Sequence, residues 1–120
     1  MKTENVVRDK SYAFAIKIVN IYRHLTEERK EYVLSKQLLR CGTSIGANIE
    51  EGIGGQSERD FFTKITIAYK EARECKYWIR LLNETNYLDN KRKEELLIDI
   101  EELLRIIGSI QKSMKLKLKI

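Results

Sequence analysis

Tyr69, Arg73, Lys76 and Arg80 follow one another at steps of four, three and four, with Tyr77 alongside. On a helix those steps gather side chains on one flank, because each residue advances by about 100°. Guanidinium and ammonium groups bind phosphates, and tyrosine rings offer a face on which unpaired bases stack. The chemistry implied is binding of a polyanion such as RNA or DNA. The same spacing describes any solvated helix face, and Glu71 and Glu74 are placed to pair locally with Lys70 and Lys76. Arg40, with Gln37 one turn before it, also has two readings: a salt bridge to acidic residues of a neighbouring helix, or a contact to a ligand.

Groups suited to catalysis are scarce. The one histidine, His24, stands beside Arg23 near the end of a helical segment, where capping or surface exposure is the expected role. Glu50 and Glu51 have no histidine at Glu-x-x-His spacing, so a di-metal carboxylate centre is not expected. Gly52-Ile53-Gly54-Gly55 follows a helix where a nucleotide-binding loop would follow a strand, and no G-x-x-x-x-G-K-[ST] run occurs. Cys41 and Cys75 fall on apolar stripes, the setting of buried, reduced, inert thiols. Neither enzyme activity nor a metal or cofactor is expected.

The elements that carry these residues follow from composition and periodicity. The 120 residues include no proline and are rich in helix formers, so one all-α domain is predicted. Helices are expected at about 9–25, 32–51, 57–86 and 89–114, with 115–120 as a tail. The first carries Phe14, Ile18, Ile21, Tyr22 and Leu25 on one face, and the second Leu34, Leu38, Cys41, Ile45 and Ile49. Gly42 and Gly46 interrupt the second, each at roughly 1 kcal/mol relative to alanine, which implies close approach of another helix. Its end at Gly52–Gly55 is expected to use glycine at positive φ. Ser44, Asn48, Glu51 and Gly52 form its structural motif, with Asn48 expected to bond a neighbouring helix or cap chain ends.

Ser57, three residues before Asp60, opens the third helix, whose stripe is Phe61, Ile65, Ala68, Ala72, Cys75, Ile79 and Leu82. Asp89 is the predicted N-cap of the fourth, with Leu96, Ile100, Leu103, Ile107, Ile110 and Met114 as its seam. Steps alternating between four and three, joined by short connections, predict an antiparallel up-down-up-down four-helix bundle. The tail from Met114 alternates apolar and lysine residues, a pattern that frays unless it extends along another chain's edge.

Two further expectations concern partners. The formal charge is +5, with net +3 in residues 1–30 and +2 in 87–120 against −1 in 31–56, so positive excess sits in the first and last helices. Ile67 and Trp78 share one flank of the third helix, and Tyr12, Ile16 and Val19 widen the stripe of the first. These are the candidate interface of a closed homo-oligomer. No apolar run approaches the roughly 18 residues of a membrane span, and the first ten residues lack a signal-peptide block. A cytoplasmic protein without membrane contact is expected.

The run Gln37-Leu38-Leu39-Arg40, then Ser44 to Gly52, then Ser57, Phe61, Ile67-Ala68, Glu71 and Glu74 resembles a family of small bacterial four-helix-bundle proteins. They are encoded within intervening sequences of large-subunit ribosomal RNA genes and were once labelled ribosomal proteins. Accessory variability proteins of diversity-generating retroelements are related to them. The chain departs from the pattern at Gly55-Gln56, where an arginine is often found, and at Tyr69-Lys70, in place of Gly-Ser. The resemblance implies an antiparallel four-helix bundle, a homopentameric ring with a basic surface, and no enzyme activity. For retroelement members it implies binding of nucleic acid and of a reverse transcriptase. The expected function is a non-catalytic, homo-oligomeric nucleic-acid-binding accessory protein, for RNA foremost. The alternative is a protein-interaction or scaffold module.

Overall fold

The computed structural model describes residues 2–120, with side chains from Thr3 onward. Its elements are α1 (Lys2–Glu27), α2 (Leu34–Ile53), α3 (Glu58–Glu84) and α4 (Asn90–Leu118). The fold is all-α, with no strand among the described residues. The helices occupy 47 × 22 × 20 Å. α2 packs against α1 and α3, while α4 packs against α3 and, less closely, α1.

Stripes at steps of three and four meet in one core. It holds Val7, Phe14, Ile18 and Leu25 of α1, Leu38, Cys41, Ile45 and Ile49 of α2, and the seven predicted residues of α3. From α4 come Leu96, Ile100, Leu103, Ile107 and Ile110. α1 begins well before the expected Asp9 because Val7 continues the Phe14 stripe one heptad earlier and is fully buried. The polar run around it concealed that turn.

α1 and α2 touch where α2 has no side chain. A Cβ at Gly42 would lie 2.7 Å from Ile18 Cγ1 and 2.8 Å from Ile18 Cγ2. One turn on, a Cβ at Gly46 would lie 3.3 Å from the Ser11 carbonyl oxygen.

The helix ends are set by side chains. Ser57 Oγ accepts from the Asp60 N–H at 3.1 Å, and Asp89 Oδ1 accepts from the Arg92 N–H at 2.8 Å. α2 starts at Leu34, later than the expected Tyr32, because Glu31 caps it from outside. The Glu31 carboxylate accepts from the N–H groups of Val33, Leu34 and Ser35 at 3.2, 3.1 and 2.7 Å. Burial raises the Glu31 pKa, but these hydrogen bonds from Ser35, Leu34 and Val33 outweigh it, so the carboxyl ionises below its ordinary range.

Three expectations are corrected here. No glycine among the described residues has positive φ; Gly54, the C-cap of α2, sits at φ −82°, while Lys30, Asn86 and Lys119 take the left-handed region. Asn48 bonds within its own helix, its Nδ2 donating to the Ser44 carbonyl at 2.8 Å and the Ser44 hydroxyl at 2.9 Å. The 115–120 tail continues α4 to Leu118, where Lys115 and Lys117 complement the helix C-terminus and Lys117 pairs with Glu58 at 2.7 Å.

Candidate nucleic-acid interface

α3 carries the candidate site on the flanks that its core stripe leaves outside. Towards α2 lie Ile67, Glu71, Glu74 and Trp78; towards α4 lie Tyr69 and Lys76; between them, outermost, lie Arg73, Tyr77 and Arg80.

The α2 flank is an ion-paired network. Arg40 reaches from α2 to Glu71 at 3.1 Å and also binds Glu74, so of its two readings the salt bridge is the one the fold adopts. Trp78 Nε1 donates to the same Glu74 carboxylate at 2.9 Å. The Trp78 and Arg40 hydrogen bonds hold the Glu74 carboxyl below its ordinary range, and the Glu74 bond raises the Arg40 pKa in turn. The local pairing of Glu71 and Glu74 with Lys70 and Lys76 does not form, because these carboxylates point across the interface to α2. Beneath the network, Cys75 and Cys41 face each other, fully buried. The neighbouring Cys41 thiol and burial push the Cys75 thiol well up.

The α4 flank is also occupied. Lys76 pairs with Glu101 at 3.3 Å. Tyr69 packs against the core, its ring 3.6 Å from the place a Cβ would take at Gly108. Lys76, Arg80 and Asn83 line one side of a groove of about 290 Å³, and Lys93, Leu97 and Glu101 the other.

Of the six candidate binding residues, Arg73, Tyr77 and Arg80 stand together on open surface. Neither arginine takes part in an ion pair among the described residues. The Tyr77 and Trp78 ring centroids are 5.0 Å apart at 79°, an edge contact. Two cations that sequence reasoning missed, Arg105 and Lys112 of α4, are likewise exposed and unpaired among the described residues. Their only signal in the sequence was a step of seven on the face opposite the α4 seam.

The interface candidates are divided. Ile67 and Trp78 are half-buried within the chain, with Arg40 beside them. Tyr12 and Ile16 of α1 are open, at 67% and 50% exposure, one helical turn apart. Tyr32 and Val33, at 53% and 71%, add apolar surface in the connection between α1 and α2. Within the structural motif, Glu51 pairs with Lys64 at 2.8 Å and Gly52 is buried against α3. His24 lies half-buried against Glu28, four residues on. Among the described residues no three His, Cys, Asp or Glu side chains gather as a metal site, and no helix is long and apolar enough to cross a membrane.

These features define a small all-α protein whose third helix presents Arg73, Tyr77 and Arg80 together on open surface. The chain belongs to the 23S rRNA-intervening sequence protein family, whose profile matches residues 3–109. It is similar to a solved structure from Bacteroides thetaiotaomicron VPI-5482, a protein of unknown function from the S23 ribosomal protein family. The TM-score is 0.90 at 49% identity, covering 92% of this chain and 98% of that one. No curated protein matches the chain.

Proposed function

We propose that this chain is a non-catalytic accessory protein that binds nucleic acid, RNA foremost, as a homo-oligomer in the cytoplasm. The observation that carries the reading is that, among the exposed cations unpaired among the described residues, Arg73 and Arg80 stand on α3 and Arg105 and Lys112 on the adjoining α4. Their placement relies on an antiparallel up-down-up-down order. Pairing register supports that order, since Lys76 meets Glu101 while Tyr69, seven residues earlier, meets Gly108, seven residues later. The same register brings Arg73 level with Leu104, one residue before Arg105, and Arg80 level with Leu97. Unpaired cations along two adjoining helices match the spaced charges of a phosphate backbone.

Assembly into a ring, a pentamer on the family resemblance, is supported by Tyr12, Ile16, Tyr32 and Val33, which leave apolar surface in water. That surface also favours the second reading, a protein-interaction module, for which a reverse transcriptase is the partner the resemblance offers. Two reduced, buried cysteines fit a reducing compartment.

The test is binding of labelled RNA and DNA to the purified protein across a salt series. Affinity should fall steeply between 50 and 200 mM salt, as release of counterions requires. Absence of binding to both at low salt refutes the reading, and a nuclease-insensitive protein partner would favour the second. Light scattering reads the assembly: a mass near one chain of 14.2 kDa refutes the ring.

A further inference from the structure

From the outer face of α3, and resting on the proposed nucleic-acid role, we infer that Tyr77, Arg73 and Arg80 bind an unpaired nucleotide of a single strand. The base stacks on Tyr77 and the arginines hold the flanking phosphates. Tyr77 is 56% exposed, unusual for an aromatic ring on a helix whose other aromatic residues are all buried or half-buried. Its ring meets the Trp78 ring at 79°, so Trp78 does not stack flat on it. Arg73 lies four residues before it and Arg80 three after, so both guanidinium groups flank the ring, their stems roughly 10 Å apart along the axis.

The ring is held before any ligand arrives. Trp78 is fixed by its N–H bond to Glu74, and Glu74 is fixed by Arg40 of the neighbouring helix. The Glu74 carboxylate is thereby ion-paired, which lessens its repulsion of a phosphate. A stacking surface of this kind suits a strand whose bases are free; in a duplex the base faces are buried in the stack, and a side chain on a convex helix reaches only the backbone. With both arginines on phosphates the base contact is stacking, and every base has a face to stack, so the site is sequence-tolerant.

The experiment uses the full chain and fluorescence polarisation with a labelled ten-nucleotide oligo(U), the matching oligo(dT), and an RNA duplex of equal length. Tyr77→Ala should weaken binding of both single strands by about tenfold or more, while Tyr77→Phe keeps the ring and the affinity. Arg73→Ala and Arg80→Ala should each lower the slope of log affinity against log salt by about 0.7. Equal losses for oligo(U) and oligo(dT) place the contact on base and phosphate, and a larger loss for oligo(U) adds the 2′-hydroxyl; both support the site. Circular dichroism checks each variant's helicity. If the wild-type protein binds single strands and Tyr77→Ala binds them equally well, or if the duplex is preferred, the stacking site is wrong while the general role stands. If no nucleic acid binds, both are wrong.

Discussion

Replacing Gly42 by alanine should destabilise the protein, although the same change in an open helix position stabilises. A mid-helix glycine is about 1 kcal/mol worse than alanine, so propensity alone favours the replacement. Against that, the new Cβ would stand 2.7 and 2.8 Å from Ile18 Cγ1 and Cγ2, where ordinary carbon contacts lie at about 3.5–4.0 Å. Both atoms are bonded directly to the Ile18 Cβ, so every staggered rotation leaves at least one of them against the new Cβ, and α1 must move away from α2. Overpacking of this kind costs about 1–3 kcal/mol, leaving a net loss of about 1 kcal/mol. Gly108→Ala is the control. Its Cβ meets Tyr69 at 3.6 Å, an ordinary contact, so it should gain up to about 1 kcal/mol.

Denaturant unfolding followed by circular dichroism measures both changes, and their signs should be opposite. Ile18→Val keeps both offending carbons and should leave the Gly42→Ala penalty in place. Ile18→Ala, which itself costs about 2–5 kcal/mol, removes them and should turn Gly42→Ala into a stabilising change, with a coupling of about 1–3 kcal/mol. If Gly42→Ala raises the unfolding midpoint as Gly108→Ala does, the close approach of α1 and α2 is not what the glycine is for.

Glu31 ionises below its ordinary range when folded, so the unfolded chain binds the extra proton first and stability falls as pH drops through the folded pKa; Glu31→Gln should flatten that acid limb below about pH 4.5, and an unchanged limb refutes the cap. The same substitution should cost about 1–2 kcal/mol at neutral pH by thermal melts, since three N–H groups lose a charged acceptor. Cys41 and Cys75 should resist a thiol reagent in the folded protein and react once it is denatured; two fast equivalents under native conditions would contradict their burial. Asp89→Ala should lower stability by about 1 kcal/mol through loss of the α4 cap, with a comparable effect for Ser57→Ala at α3; melts that match the wild type would refute both caps.

The four helices were legible because their core stripes keep a step of three or four and each is bounded by a recognisable stop. Ser57 and Asp89 could be read as caps because their side chains bond N–H groups three residues on, a purely local geometry. Glu31 could not, since a glutamate three residues ahead of a helix has no fixed preference and takes this role only where the chain turns in from α1. Likewise the glycines of the 52–55 loop suggested left-handed backbone, whereas the chain turns at ordinary φ and places its left-handed residues at Lys30 and Asn86. The tail misled for the reverse reason: alternation over six residues looks extended, yet α4 was already nucleated, and each further residue adds a hydrogen bond without a new nucleation cost.

The candidate site was half legible, and the missing half is long-range. Spacing alone grouped Tyr69, Arg73, Lys76, Tyr77 and Arg80, but it could not sort them, because the partners that remove Tyr69 and Lys76 lie on α4 at Gly108 and Glu101. Arg40 is the sharper case. Its carboxylate partners are 31 and 34 residues away in sequence, so only the packing of α2 on α3 decides between ion pair and ligand contact. The ion pair also orders what lies beneath the exposed ring. It fixes Glu74, Glu74 fixes Trp78, and Trp78 sets the edge against which Tyr77 stands. A half-exposed ion pair contributes little to global stability, generally under 1 kcal/mol. Its larger consequence is local order: it restricts the rotamers beneath an exposed ring, and a ring already restricted loses less entropy when a base settles on it.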